Sequence, residues 1–113
     1  MIKIYHNPRC RKSREGVAYL ENAGISFEIF EYLKTPLSNE DLKEIIKKLN
    51  IKPIDLVRKQ EAIWKSDYKG KSLNDDEIMN AMVTHPKLIE RPIIVNQNKA
   101  IIGRPTENID EIL

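Results

Sequence analysis

Ile2-Lys3-Ile4-Tyr5-His6-Asn7-Pro8-Arg9-Cys10-Arg11-Lys12-Ser13-Arg14 is the stretch that organises this chain. Ile2 and Ile4 alternate with Lys3 and Tyr5, the period of a short strand over Met1 to Tyr5. A helix is expected from about Cys10 to Ala23, with Val17, Leu20 and Ala23 on one face and Gly24 placed as the glycine that ends it. Ser26 to Tyr32 holds Phe27, Ile29, Phe30 and Tyr32 and reads as a second strand. Strand, helix and strand in this order form a β-α-β unit, a parallel pair with a right-handed crossover.

Cys10 is the only cysteine of the chain. At a strand-to-helix junction, unpaired backbone N–H groups and the positive end of the helix dipole both favour a thiolate. Arg9, Arg11, Lys12 and Arg14 crowd the same end of the helix, where exposed cations cost about 0.3–1 kcal/mol each. An anion at this place explains such a cost: the thiolate, a bound oxyanion, or both. A lone cysteine is commonly a small buried hydrophobe. Here the neighbours His6, Asn7, Arg9, Arg11, Lys12 and Ser13 are all polar, which is not a core setting.

A free thiol is only about 3% ionised at neutral pH, and making it mostly thiolate takes about 3 kcal/mol. A helix N-terminus supplies about 1–2 kcal/mol of that in a favourable site. Hydrogen bonds and nearby charge must provide the rest. Ser13, one turn along, is placed to donate to the sulfur. His6 can act from the loop if protonated, and Arg14 if it folds back.

With one cysteine the chain forms no intrachain disulfide, so a redox cycle through Cys10 needs a thiol from another molecule. A cluster of several cysteines around a metal is excluded within one chain, and no metal site is expected. A net charge of +2, with acids and bases interspersed, does not argue for nucleic acid. No apolar run approaches the roughly twenty residues that span a bilayer. The first residues lack the basic and apolar regions of a signal peptide, so a cytoplasmic protein that does not bind membranes is expected. A length of 113 residues, 41% hydrophobic and 32% charged, fits one globular domain, and a monomer is expected.

After Thr35-Pro36 the pattern turns helical. Ser38 with Asp41 makes a capping box, and Leu42, Ile45, Ile46 and Leu49 form one stripe before Asn50 and Pro53. Short helical pieces are expected over Asp55 to Ser66, then a loop at Tyr68 to Lys71. Asn74 with Glu77 caps another helix, whose face is Ile78, Met79, Met82 and Val83 and which ends at His85-Pro86. Pro92 to Val95 is an apolar strand, with Ala100 to Ile102 as its hairpin partner across Asn96 to Lys99. A last helix is expected with Thr106 as its cap and Ile109, Ile112 and Leu113 facing inward. The order β-α-β, helical insertion (about 38–90), β-β-α is an α/β, thioredoxin-like plan with a mixed central sheet.

Three further arginines stand out: Arg58, Arg91 and Arg104. Singly, each reads as a surface charge. Arg91 and Arg104 each precede a proline, which holds the residue before it extended. In a thioredoxin-like plan the proline opening the third strand faces the cysteine loop, so a cis Arg91–Pro92 bond is expected. Arginine forks bind oxyanions in pairs of hydrogen bonds and stay charged at working pH. Beside a thiolate, they offset the repulsion that keeps it from an anionic substrate.

Tyr5-His6-Asn7-Pro8-Arg9-Cys10-x-x-Ser13-Arg14 resembles the active-site loop of the glutaredoxin-linked arsenate reductase family. The likeness continues in Tyr32-Leu33-x-x-Pro36, Leu56-Val57-Arg58-Lys59, Thr84-His85-Pro86-x-Leu88-Ile89-x-Arg91-Pro92-Ile93 and Gly103-Arg104-Pro105, in collinear order along essentially the whole chain. It implies Cys10 as nucleophile, His6 beside it favouring the thiolate, and Arg58, Arg91 and Arg104 as oxyanion-binding groups. It further implies arsenate as substrate, no bound cofactor, glutathione as co-substrate, glutaredoxin as the resolving partner, and a place in arsenic detoxification. The chain ends at Leu113, without the C-terminal extension of the longer reductases, and so resembles a short branch of that family. Arg11 and Lys12 are more basic than the small residues of the longer enzymes. The main alternative is a redox-responsive transcriptional regulator of the Spx type, which binds RNA polymerase. Many of those carry a Cys-x-x-Cys switch, and Ser13 stands where its second sulfur would be. A monothiol glutaredoxin-like module leaves the helical insertion and the arginines unexplained.

Overall fold

The computed structural model describes residues 1–113 and resolves them into two compact units. The first comprises residues 1–35 and 91–113, the second residues 36–90.

The first unit carries a four-stranded sheet. Its strands are β1 (Ile2–Tyr5), β2 (Phe27–Phe30), β3 (Ile93–Asn96) and β4 (Lys99–Ile102), in the spatial order β2-β1-β3-β4. β1 and β2 run parallel with Ile4 opposite Ile29; β3 runs antiparallel to both β1 and β4. The helix α1 (Arg11–Asn22) links the parallel pair. This is the thioredoxin-like arrangement with a mixed sheet. The hairpin turns at Gln97, which takes the left-handed conformation (φ 57°).

Ile2, Ile4, Leu20, Ile94, Ile109 and Ile112 form the core of this unit. The side of α1 that faces inward is Ser13, Gly16 and Leu20. It is rotated from the expected Val17–Leu20–Ala23 stripe: Val17 is half-buried and Ala23, at the C-cap, is exposed. Gly16 explains the rotation. A Cβ there would lie 2.9 Å from Pro92 Cγ and 3.3 Å from Ile4 Cδ1, so the helix backbone itself comes against β1 and Pro92. Gly16→Val should therefore cost about 1–3 kcal/mol in urea unfolding, because overpacking outweighs the few tenths gained in helix propensity. An unchanged midpoint would show that the contact is slack.

The last segment differs from expectation in two ways. Thr106–Ile112 is a 3₁₀ helix, and its N-cap is Pro105, not Thr106. Ile109 and Ile112 are buried as expected, but Leu113 is 50% exposed. The segment is held by side chains: Tyr19 of α1 donates to Asp110, and Asn96 Nδ2 donates to the Ile112 carbonyl at 2.6 Å. Those anchors, placed near its end, leave the terminal residue outside. β2 is also shorter than the Ser26–Tyr32 span expected, because Glu31 accepts from Lys34 and Thr35 N–H and turns the chain.

The second unit contains α2 (Asn39–Leu49), α3 (Ala62–Asp67) and α4 (Asp75–Thr84), with 3₁₀ turns at Pro53–Leu56 and Pro86–Leu88. Both expected capping boxes are formed, Ser38 with Asp41 and Asn74 with Glu77. Leu42, Ile45 and Ile46 of α2, with Ile78, Ala81 and Met82 of α4, are buried where the two helices pack. An antiparallel bridge between Val57 and Ile89 ties the middle of the unit to its end, flanked by Arg58 N–H to Leu88 O and Glu90 N–H to Leu56 O. No helix is long and apolar enough to cross a membrane.

Candidate active site

The sequence between β1 and α1 is folded by its own polar groups. Asn7, Pro8, Arg9 and Cys10 make a turn closed by Cys10 N–H to Asn7 O at 3.0 Å. The Asn7 side chain braces it, Oδ1 accepting from Arg9 N–H at 3.0 Å, a local bond that asparagine makes readily in turns. Asn7 is buried, and sequence reasoning passed it over as a neighbour of the cysteine. The Asn-Pro pair was the available signal.

Cys10 then occupies the N-cap of α1 with extended backbone (φ −93°, ψ 122°). Its carbonyl accepts the first helical N–H, from Arg14. The first turn of α1 contains no acidic residue. Cys10 is half-buried and its thiol is free. Its side chain makes no capping hydrogen bond, yet the N–H dipoles of Ser13 and Lys12 are directed at the sulfur.

Two of the expected arginines meet at this sulfur. Arg104 Nη2 donates to Cys10 Sγ at 3.5 Å, and the Arg91 guanidinium donates to it as well. Arg104 is aimed by its neighbours: its Nε donates to Arg91 O at 3.1 Å, and its own carbonyl accepts from Asn108 Nδ2 at 3.0 Å. The Arg91–Pro92 bond is cis, as expected, and so is Arg104–Pro105, which had not been singled out. Pro92 is buried against Gly16 and Gly103, the two glycines that let it approach. Burial pushes the Cys10 thiol up. The Arg91 hydrogen bond, the Ser13 N–H, the Arg91 charge and the Lys12 N–H together outweigh it, and the thiol lies below its ordinary value.

His6 and Ser13 take a different arrangement from the one expected. Ser13 is fully buried, and its hydroxyl accepts from Asn7 N–H at 2.9 Å and lies 2.7 Å from His6 Nδ1. Ser13 thus bears on the sulfur through its backbone N–H rather than by hydroxyl donation. Burial lowers the His6 imidazole. The charge of Glu31 and the Ser13 contact raise it, that of Arg14 lowers it, and the result is below the ordinary value. The lowered imidazole disfavours the protonated form through which His6 was expected to act on the thiolate. A neutral ring protonated on Nε2 accepts the Ser13 hydroxyl proton at Nδ1 and fixes the loop. Arg14 does fold back, but onto the Pro8 carbonyl at 2.9 Å.

Arg58 belongs to the second unit. Its guanidinium is held by Glu61 at 3.3 Å and Glu90 at 4.0 Å, and its Nη1 is buried without a hydrogen-bond partner.

Comparison with known proteins places the chain in a family. The model of the ArsC family matches residues 5–112. An arsenate reductase of Haemophilus influenzae is 45% identical over 99% of this chain and 98% of its own length. One of Neisseria meningitidis serogroup A is 40% identical over 99% of this chain and 97% of its own. The solved structure titled arsenate reductase from Vibrio cholerae superposes with a TM-score of 0.95 at 46% identity, covering 99% of this chain and 97% of that one. The resemblance carried by the cysteine loop thus extends through sequence and fold alike, and the chain belongs to the ArsC family of arsenate reductases.

Proposed function

We propose that this protein reduces arsenate, or a closely similar oxyanion, to arsenite through Cys10, using glutathione and glutaredoxin as the source of electrons in the cytoplasm. The observation that carries the reading is the convergence of Arg91 and Arg104 on the Cys10 sulfur. Two fixed guanidinium groups stabilise a thiolate before substrate arrives and can share an oxyanion with it afterwards.

The Cys10 thiolate attacks arsenic and displaces one oxygen, which leaves as water after taking up protons. Glutathione then displaces a second oxygen from arsenic, which also leaves as water, and forms an As–S bond. The glutaredoxin thiolate attacks the glutathione sulfur: a glutaredoxin–glutathione disulfide forms, the As–S bond to glutathione breaks, and its electron pair reduces As(V) to As(III). Water displaces arsenite from Cys10, which is left as the thiolate. A single cysteine suits this scheme, because every later thiol comes from another molecule. No cofactor is required in it, and the chain acts as a monomer. The Spx-type alternative is not favoured by the family match or by these relatives.

In this reading Arg58 is the third oxyanion-binding arginine. Arg58→Ala is expected to raise KM for arsenate about tenfold, the value of one charge-assisted bond, with a smaller change in kcat. Equal KM values for variant and wild type would remove Arg58 from the site. The reaction itself is tested by following arsenate-dependent NADPH oxidation through glutathione reductase, glutathione and glutaredoxin. Turnover that requires arsenate, glutathione and Cys10 is the expected result. Absence of turnover at any arsenate concentration overturns the proposal.

A further inference from the structure

A cleft of about 230 Å³ opens beside the cysteine turn, lined by Asn7, Pro8, Arg9, Glu31, Leu33 and Lys34. All six lie within the first unit. Three of them are the first three residues of the turn whose fourth is Cys10. The two ends of such a turn stay within about 7 Å, so the cleft wall and the nucleophile share one hydrogen-bonded element. The groups on the sulfur, by contrast, come from Arg91 and Arg104, which line no part of this cleft.

Its chemistry is mixed. Pro8 and Leu33 supply an apolar surface, with Leu33 37% exposed. Arg9 and Lys34 supply two cations at the rim and Glu31 one carboxylate. The Lys34–Glu31 pair is 3.5 Å apart with an exposed ammonium, a weak contact that a ligand can replace. A ligand suited to these groups has a short apolar stem, an ammonium, and more carboxylates than ammonium groups.

We propose that this cleft seats the small thiol that relieves Cys10 after reaction, a peptide thiol of the glutathione type. Its carboxylates meet Arg9 and Lys34, its ammonium meets Glu31, and its methylene groups lie on Pro8 and Leu33. The inference rests on the reading of Cys10 as a nucleophile served by an outside thiol. It adds a place where that thiol is selected, built from residues other than those on the oxyanion side.

The test needs no arsenate. Cys10 of the full chain is converted to its mixed disulfide with pyridinethiol, and glutathione is added. The glutathione thiolate attacks the Cys10 sulfur, a new S–S bond forms, the bond to pyridinethiol breaks, and the released chromophore is followed. The weaker base leaves, which sets the direction of the exchange. For wild type, the rate is expected to bend to a plateau as glutathione increases. In the double variant Arg9→Glu/Lys34→Glu the rate at low glutathione should fall by more than about tenfold, the loss expected of a single charge-assisted contact. In Leu33→Asp, which loses the apolar contact, it should also fall. Mercaptoethanol, which has no charged groups, should react linearly and equally with all three proteins. An equal fall with mercaptoethanol, or no fall with glutathione, overturns the proposal. A fall seen only when glutaredoxin is the attacking thiol also overturns it and assigns the cleft to a protein partner. Should wild type show the selective exchange but reduce no arsenate, the oxyanion reading fails and the thiol site stands.

Discussion

Cys10→Ser is expected to abolish arsenate reduction, by about a thousandfold or more, while leaving the protein folded and, at low pH, more stable. The two effects have separate causes. Serine oxygen is a poor nucleophile at neutral pH and cannot pass through a disulfide, so both the attack and the redox step are lost. Stability moves the other way because Cys10 is an N-cap whose side chain makes no capping bond. Serine in that extended backbone can accept from an N–H of the first turn, and a good cap is worth about 0.5–1 kcal/mol.

The gain should shrink as pH rises. The folded thiol lies below its ordinary value, so the wild-type thiolate adds stability that is complete above the unfolded thiol's value, near 8.5, and is lost as pH falls through the folded value. Between those two values wild type therefore catches up with the variant. Urea unfolding of both proteins across that window measures the difference. A serine variant that is less stable at all pH values would show that the cysteine side chain is itself a cap.

Arg91→Ala and Arg104→Ala carry the second large effect. Each removes a charge-assisted donor from the sulfur, worth about 1.5–3 kcal/mol, and each should lower kcat/KM for arsenate about ten- to a hundredfold. Arg91→Ala should also move the Cys10 thiol upward, since Arg91 acts on it both by hydrogen bond and by charge. The double variant should lose less than the product of the single losses, because both groups act on one sulfur. Arg104→Lys should not restore activity: an ammonium cannot hold the Arg91 carbonyl and reach the sulfur at once. Strict multiplicativity in kcat/KM, or full rescue by lysine, would mean that the two arginines work independently as diffuse charge.

Which of these features the sequence reveals depends on how far apart the interacting residues are. The capping boxes at Ser38 and Asn74 are three-residue signals, and both formed as read. Gly24 ends α1 with positive φ, as its position after the apolar stripe implied. The cis bond before Pro92 follows from the fold plan together with the proline. The errors arise where distant residues meet. The inward face of α1 is set by Gly16 against Pro92, which lies far along the chain, and periodicity alone pointed to Val17 and Ala23. The final 3₁₀ segment owes its shape to Tyr19 and Asn96, outside its own sequence.

At the candidate site, the residues that meet at the Cys10 sulfur, Arg91 and Arg104, were legible from residue type and proline context. The charge state of His6 was not. It depends on burial and on its pairing with Ser13, and neither is visible in a loop sequence. The bracing role of Asn7 belongs to the same class, although Asn-Pro is itself a turn signal. The cleft beside the turn joins residues 7–9 to residues 31–34, which the parallel pairing of β1 and β2 brings to the same end of the sheet.

Everything proposed for this site depends on Cys10 being ionised near neutral pH. The direct measurement is the ultraviolet absorbance of the thiolate, followed as the native protein is titrated, with Cys10→Ser as the blank. The absorbance should rise with a midpoint below the ordinary value of a thiol, and in Arg91→Ala that midpoint should move up toward it. A wild-type midpoint at or above the ordinary value, unmoved by loss of Arg91, would contradict the thiolate and the mechanism built on it.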